Sequence, residues 1–103
     1  MANYIHQYVR NKKGQPIGCL LAVCSGPLND KVVITTSKAA ISKGDTFFKD
    51  FGLQLCWDRL VAYENERRYP SVPDSMRDDV YKFEERCKRY FKGKKILLPV
   101  PLV

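Results

Sequence analysis

Apolar positions in the first third of the chain follow three patterns, and each pattern predicts a β-strand. Residues 3–10 alternate between the two faces of an extended segment. Residues 16–24 are apolar on both faces, which is typical of a central strand. Residues 31–36 are rich in β-branched side chains. Because the connecting turns are short, we expect these strands to form a three-stranded antiparallel meander.

Apolar residues at helical spacing between residues 46 and 68 predict a first helix. Asp45 can cap this helix, which then begins at Thr46. Gly52 lies inside the segment and has two interpretations. It either permits a close approach of the helix to the sheet or divides the segment into a turn and a later helix. The apolar stripe consists of Leu53, Cys56, Leu60 and Tyr63.

A second helix is predicted after the proline-containing loop at residues 69–75. Ser75 is the expected N-cap, and Asp78 completes a start that resembles a capping box. Gly93 is expected to end the helix. Its apolar stripe consists of Met76, Val80, Phe83, Cys87 and either Tyr90 or Phe91.

The chain is therefore interpreted as one α+β domain that covers residues 1–103. It contains a three-stranded antiparallel sheet followed by two helices, in the order β-β-β-α-α, and one or both helices cover one face of the sheet. Residues 96–103 form an apolar tail with two prolines. This tail either packs back along a sheet edge or forms an arm that binds a partner or a second copy in a homodimer.

The four cysteines lie among apolar residues and are predicted to be buried, reduced thiols. Their spacing and the single histidine, His6, give no recognisable metal site, so we expect no metal and no cofactor. No apolar run approaches the roughly 20 residues that span a bilayer. The first ten residues also lack a signal-peptide pattern. We therefore expect a cytoplasmic protein with no membrane partner.

Charge is distributed unevenly along this basic chain, whose formal net charge is +7. Residues 1–44 contain six basic residues and one acid, and residues 86–103 contain six basic residues and no acid. The middle segment, residues 45–85, contains six basic residues against ten acids. Two positive ends that flank an acidic middle indicate a polyanionic partner or an acidic protein surface.

The basic run near the C-terminus is the first candidate binding surface. Tyr90 lies within this run and can stack on nucleic-acid bases. The alternative is a solvated helix end whose cations complement the helix dipole and pair with earlier acids. The residues assigned to phosphate contacts are Lys88, Arg89, Lys92, Lys94 and Lys95.

The first predicted turn is the second candidate surface, because it carries Arg10, Lys12 and Lys13. Tyr4 and Tyr8 lie on one face of the strand that leads into this turn. Aromatic side chains on an open sheet with a basic rim are typical of single-strand binders. The alternative is that these tyrosines are ordinary residues of a half-buried strand.

Three aspartates near the first helix are the only candidates for an enzymatic site. Asp45, Asp50 and Asp58 are a possible metal or acid/base group. Their spacings of five and eight residues do not place all three on one helical face. An N-cap and two solvated carboxylates are the favoured interpretation, so no catalytic residue and no metal ligand is assigned.

Two stretches of the chain carry the two parts of one sequence pattern. A short hairpin carries the first part at Tyr8, Val9, Arg10, Gly14, Pro16 and Gly18. The entry into a helix carries the second part at Gly44, Asp45, Phe47, Lys49, Gly52, Leu53, Cys56 and Arg59. This pattern resembles one found in small, uncharacterised phage-encoded proteins, and the resemblance covers about residues 8–60. It implies a phage or prophage origin but no established activity, and it transfers no catalytic residue.

These observations favour a non-enzymatic, phage-type binding protein. We expect it to act on nucleic acid, or on a host complex that handles nucleic acid, through its basic edges. The first alternative is a protein–protein inhibitor of a host defence or transcription complex, as an anti-CRISPR protein is. In that case the apolar tail and the acidic middle carry the function. The second alternative is a metal-dependent hydrolase or nuclease built from the aspartates.

Overall fold

The three strands predicted in the first third of the chain are present and form an antiparallel meander. The computed structural model describes residues 3–26, 28–39, 46–66 and 68–101. A short 3-10 turn, Asp74–Met76, precedes the second helix. The elements are β1 (Tyr4–Arg10), β2 (Pro16–Ser25), β3 (Lys31–Lys38), α1 (Lys49–Glu66), β4 (Ser71–Val72), α2 (Arg77–Tyr90), β5 (Lys95–Leu97) and β6 (Val100–Pro101).

The main sheet has four strands in the order β1-β2-β3-β5, and it is mixed because β5 runs parallel to β3. The α+β class is confirmed, but the prediction of a three-stranded antiparallel sheet is wrong in this respect. The fourth strand is only three residues long, Lys95–Leu97, and such a segment is too short to show a strand period. The tail also supplies β6, which pairs with β4. The described part of the tail therefore packs on its own domain.

The two helices lie on opposite faces of the sheet. A large apolar cluster joins α2 to one face, and a smaller cluster joins α1 to the other. The prediction that one or both helices cover one face left the other face open, whereas each helix covers a face of its own. This arrangement is possible because β2 is apolar on both sides and β3 is buried on both sides, with Val32 and Ile34 packed towards α2 and Thr35 and Ser37 bonded to α1.

The apolar stripe predicted for α2 is confirmed. Tyr90 is 45% exposed and Phe91 is 7% exposed, so Phe91 completes the stripe. The predicted Ser75 cap is wrong. Met76 occupies the N-cap position without a side-chain cap, and Asp74–Met76 form a 3-10 turn. The Ser75 hydroxyl instead contacts Nζ of Lys38, so a contact with β3 replaces the local capping bond.

The first helix, α1, begins at Lys49, three residues later than predicted, and continues through Gly52 without a break. The proposed Asp45 cap lies outside the described residues. The Ser37 hydroxyl donates to the carbonyl oxygen of Gly52 at 2.7 Å, which confirms a close approach between helix and sheet. The Phe47 ring occupies the space into which a β-carbon at position 52 would project. Within the described residues, no helix has the length and apolar character needed to cross a bilayer.

Candidate nucleic-acid interface

The predicted basic residues of the first turn lie at the β1–β2 hairpin tip, which we define as Arg10, Lys12 and Lys13. The Asn11 side chain orders this turn, because its Oδ1 accepts hydrogen bonds from the backbone N–H of Lys13 at 2.9 Å and of Gln15 at 3.0 Å. Arg10 Nη1 donates to the carbonyl oxygen of Gly14 at 2.8 Å. The hairpin tip therefore presents Lys12 and Lys13 to solvent from a well-ordered turn.

The C-terminal basic residues lie at the opposite end of the molecule. Lys95 N donates to the carbonyl oxygen of Asp30 at 3.0 Å, and Lys94 Nζ donates to that of Asn29 at 2.5 Å. Both acceptors lie in the β2–β3 turn. The hairpin tip precedes β2 and this turn follows it. Because β2 has ten residues, its ends are about 30 Å apart. The two basic groups therefore form two surfaces rather than one.

The fold adds a lysine that sequence reasoning missed. Lys31, the first residue of β3, pairs in register with Lys95 of β5. Both side chains therefore project from the same face of the sheet on neighbouring strands, which lie about 4.8 Å apart. We call Lys31, Lys92, Lys94 and Lys95 the lysine end. No local sequence pattern identifies Lys31, because Lys95, its neighbour in the sheet, is more than sixty residues away in the chain.

The lysine end is only partly neutralised by the acids around it. Within the described residues, none of its four ammonium groups forms an ion pair. Asp30 lies in the adjacent turn, and the Glu64 carboxylate accepts a hydrogen bond at 3.1 Å from the hydroxyl of Ser25, the residue that pairs with Lys31. Like charges directly opposite each other on neighbouring strands destabilise a sheet. The arrangement of Lys31 and Lys95 thus has an electrostatic cost that a bound anion would relieve.

The last turn of α2 continues this positive surface with Lys88 and Arg89. Nζ of Lys88 lies 3.5 Å from Oε1 of Glu85 and 3.9 Å from Oε2 of Glu84. The alternative interpretation, pairing with acids of the same helix, therefore applies to Lys88. It does not apply to the lysine end.

The tyrosines predicted to stack on bases differ in how far their rings already pack against other side chains. Tyr4 packs edge-on against Trp57 of α1, with ring centroids 5.1 Å apart. Tyr8 packs near Phe47 and lies under the ammonium group of Lys49, and burial raises the pKa of its phenol. The face that carries Tyr4 and Tyr8 is therefore covered by α1 rather than open.

Tyr90 differs from the two sheet tyrosines because it lies at the end of α2, next to the lysine end. Its side chain is 45% exposed. Its ring packs edge-on against Phe91, with centroids 4.7 Å apart. Of the three predicted stacking residues, Tyr90 is therefore the one beside the lysine end.

Of the three carboxylates proposed for a metal site, the two that the structure describes do not come together. Asp50 and Asp58 are exposed and lie eight residues apart on α1, which is about 12 Å along the helix axis. Asp58 Oδ1 accepts a hydrogen bond from Gln54 Nε2 at 3.0 Å. Asp45 is outside the described residues. Among the residues that the structure describes, no group of three or more potential ligands could hold a metal ion.

Three of the four cysteines are buried, and Cys24 is half-buried. Cys19 and Cys56 face each other under α1. A hydrogen bond with the Cys19 side chain lowers the pKa of Cys56, and the same contact raises the pKa of Cys19. On the opposite face, burial raises the pKa of Cys87 to about 12. These thiols belong to the core.

The chain matches no protein-family model, and no curated protein or solved structure is significantly similar to it. The geometry of the two basic surfaces therefore carries the functional argument alone.

Proposed function

We propose that this chain is a non-enzymatic, phage-type binding protein that contacts the phosphates of nucleic acid through the lysine end. The nucleic acid is either free or part of a host complex. The observation that supports this proposal is the in-register pair of Lys31 and Lys95, extended by Lys92 and Lys94. These four ammonium groups form no ion pair with a described carboxylate, and they match a backbone that carries one charge per phosphate. Lys88, Arg89 and Tyr90 flank this surface.

Salt dependence tests the proposal directly. Four phosphate contacts on a duplex give a slope of log affinity against log salt of about −3.6, or about a hundredfold loss of affinity between 50 and 200 mM salt. Fluorescence anisotropy with labelled single- and double-stranded DNA and RNA measures this slope. Binding that does not depend on salt would contradict the proposal.

Two pairs of substitutions locate the contact. Lys31→Gln with Lys95→Gln removes two charges at the lysine end, and we expect the salt slope to become shallower by about 2. The matched control, Lys12→Gln with Lys13→Gln, removes the same charge at the hairpin tip. We expect little effect from the control. An equal loss in both double variants would mean that both ends contact one ligand across about 30 Å.

The outward face of α2 favours a second candidate function, an inhibitor of a host defence or transcription complex. Asp78 and Glu85 on this helix are exposed and can meet a basic protein surface. Changing both to the neutral residues, Asp78→Asn and Glu85→Gln, tests this function by copurification with host proteins. Deletion of residues 96–103 is a poor test, because Ile96 and Leu97 belong to a strand of the main sheet.

A homodimer through the tail remains a prediction. Because β5 is an edge strand, its outer edge is the surface through which a second copy can pair. Light scattering on the full chain measures the oligomeric state.

A further inference from the structure

A cleft of about 330 Å³ lies between the second half of α1 and the segment that leads into β4. Two arginines, Arg59 and Arg68, line it together with Tyr69. Its volume is at the lower end of the range for small-molecule sites, which suits one small ligand. It lies on the α1 side of β3 and includes no residue of the lysine end.

Arg59 provides a cation in the lining of this cleft, and a hydrogen bond to β3 holds its guanidinium group. Its Nη1 donates to the carbonyl oxygen of Thr36 in β3. A guanidinium has five N–H donors, and this bond uses one of them. Within the described part of the chain, Arg59 forms no ion pair with a carboxylate. The remaining donors are therefore available to an anion that enters the cleft.

Arg68 and Tyr69 line the other wall. Arg68 Nη2 lies 2.9 Å from Oε2 of Glu66, and both side chains are mainly exposed. Because such a surface ion pair is weak, another anion can replace Glu66 as the partner of Arg68. Tyr69 is 70% exposed, and its ring packs against Tyr63 with centroids 5.5 Å apart. An exposed aromatic ring held beside two guanidinium groups can stack a base while they bind its phosphate.

Hydrogen bonds hold the cleft wall formed by the segment before β4 to β3 and to the C-terminal tail. The Thr36 hydroxyl donates to the carbonyl oxygen of Ser71 at 3.1 Å, and Val100 N donates to that of Pro70 at 2.9 Å. A wall held in this way needs little ordering when a ligand binds, which favours affinity.

One carboxylate in the cleft narrows the class of ligand. Asp58 lines the cleft, where it can accept a hydrogen bond from a sugar hydroxyl or a base amino group. Its negative charge also opposes a long polyphosphate. Two cations, one acid and one aromatic ring together match a single phosphate attached to a nucleoside.

We propose that this cleft binds a nucleoside monophosphate, with its phosphate on Arg59 and Arg68 and its base on Tyr69. The same chemistry also occurs at the end of a nucleic-acid strand, and the experiment distinguishes these two sources. This site does not depend on the lysine end.

Calorimetry and NMR titration of the full chain test the proposal with four probes: adenosine monophosphate, adenosine, inorganic phosphate and a 5′-phosphorylated dinucleotide. We expect saturable binding of the monophosphate, and at least tenfold weaker binding of adenosine and of phosphate alone. Tighter binding of the dinucleotide that depends on the same residues would support the site and assign its phosphate to a strand end.

Two exposed residues serve for mutagenesis, because their loss leaves the packing between α1 and β3 intact. We expect Arg68→Gln and Tyr69→Ala each to weaken binding of the monophosphate about tenfold, and Tyr69→Phe to preserve it. Arg77→Gln removes the same charge on α2 and is the matched control. Failure to bind at about 10 mM monophosphate, or equal binding by Arg68→Gln, Tyr69→Ala and the wild type, would overturn the proposal. Binding of long nucleic acid at the lysine end is measured separately and survives in the Arg68→Gln variant.

Discussion

The two helices are attached to opposite faces of one sheet by different kinds of contact. The α2 face is an apolar interface in which Met76, Val80 and Phe83 are at most 3% exposed. The α1 face has a smaller apolar cluster, whose buried members are Cys19, Leu21 and Cys56. Polar side chains of β3 complete the α1 face. The α2 face therefore relies mainly on apolar packing, with exposed hydrogen bonds from Arg86 to β1, whereas the α1 face also contains buried hydrogen bonds.

The polar contacts of the α1 face run from side chains to backbone carbonyl groups. The Thr35 hydroxyl donates to the carbonyl oxygen of Cys56 at 2.9 Å, and that of Ser37 donates to Gly52 at 2.7 Å. Large side chains near the start of α1 lie outside the core. Phe51, in the first turn of the helix, is 63% exposed, and Phe48, the residue before the helix, is 66% exposed. The cleft beside Arg59 lies along this same helix.

The largest expected effect is the loss of a core side chain from the α2 face. Phe83→Ala should lower the free energy of unfolding by about 3–5 kcal/mol, because Phe83 is 1% exposed and its removal leaves a cavity. Urea unfolding followed by circular dichroism measures this change. A loss below about 2 kcal/mol would mean that apolar burial does not dominate this face.

Removing the hydroxyl contacts of the α1 face should cost less. Thr35→Val with Ser37→Ala should lower the free energy of unfolding by about 1–3 kcal/mol, since a typical hydrogen bond contributes about 0.5–1.5 kcal/mol. Hydrogen exchange should then accelerate in α1 more than in α2. Equal acceleration of hydrogen exchange in both helices would contradict the claim that these hydrogen bonds attach α1 in particular.

The thiols of the two faces should respond differently to alkaline pH. The pKa of Cys87 is raised to about 12 from an ordinary 9.0, so its contribution to stability is complete below pH 9 and is lost as the pH rises towards 12. Between pH 7 and pH 10, the free energy of unfolding of the wild type should fall by about 1 kcal/mol more than that of Cys87→Ala.

The thiols under α1 titrate as a pair. The hydrogen bond between them lowers the pKa of Cys56 and raises the pKa of Cys19, so their contributions to the pH dependence of stability have opposite signs and oppose each other. Parallel pH profiles for the wild type and Cys87→Ala would contradict the assignment for Cys87.

The smallest expected effect tests the close approach at Gly52. In the wild type, the methyl group of Gly52→Ala meets the Phe47 ring, and we expect a destabilisation of about 1 kcal/mol. In a Phe47→Ala background the ring is gone, and the same change should stabilise α1 by about 0.5–1 kcal/mol through helix propensity. A double-mutant cycle measures this reversal of sign, and purely additive effects would exclude the contact.

Much of the secondary structure was predictable from local patterns. β2 was expected to be central because both of its faces are apolar, and the α2 stripe was expected from residues three and four positions apart. The candidate site was only partly predictable. The hairpin tip and the C-terminal lysines were identified as basic, but their separation and the addition of Lys31 were not. The cleft between Arg59 and Arg68 carried no sequence signal.

The sequence by itself determined the elements whose period repeats over several turns or residues, because that information is contained in neighbouring positions. Only the tertiary structure decided that the helices cover opposite faces and that Ser75 contacts Lys38 instead of capping α2. It also decided that a three-residue strand brings Lys95 beside Lys31. The physical reason is the same in each case: these contacts join residues far apart in the chain, and their free energy depends on the surfaces that folding brings together.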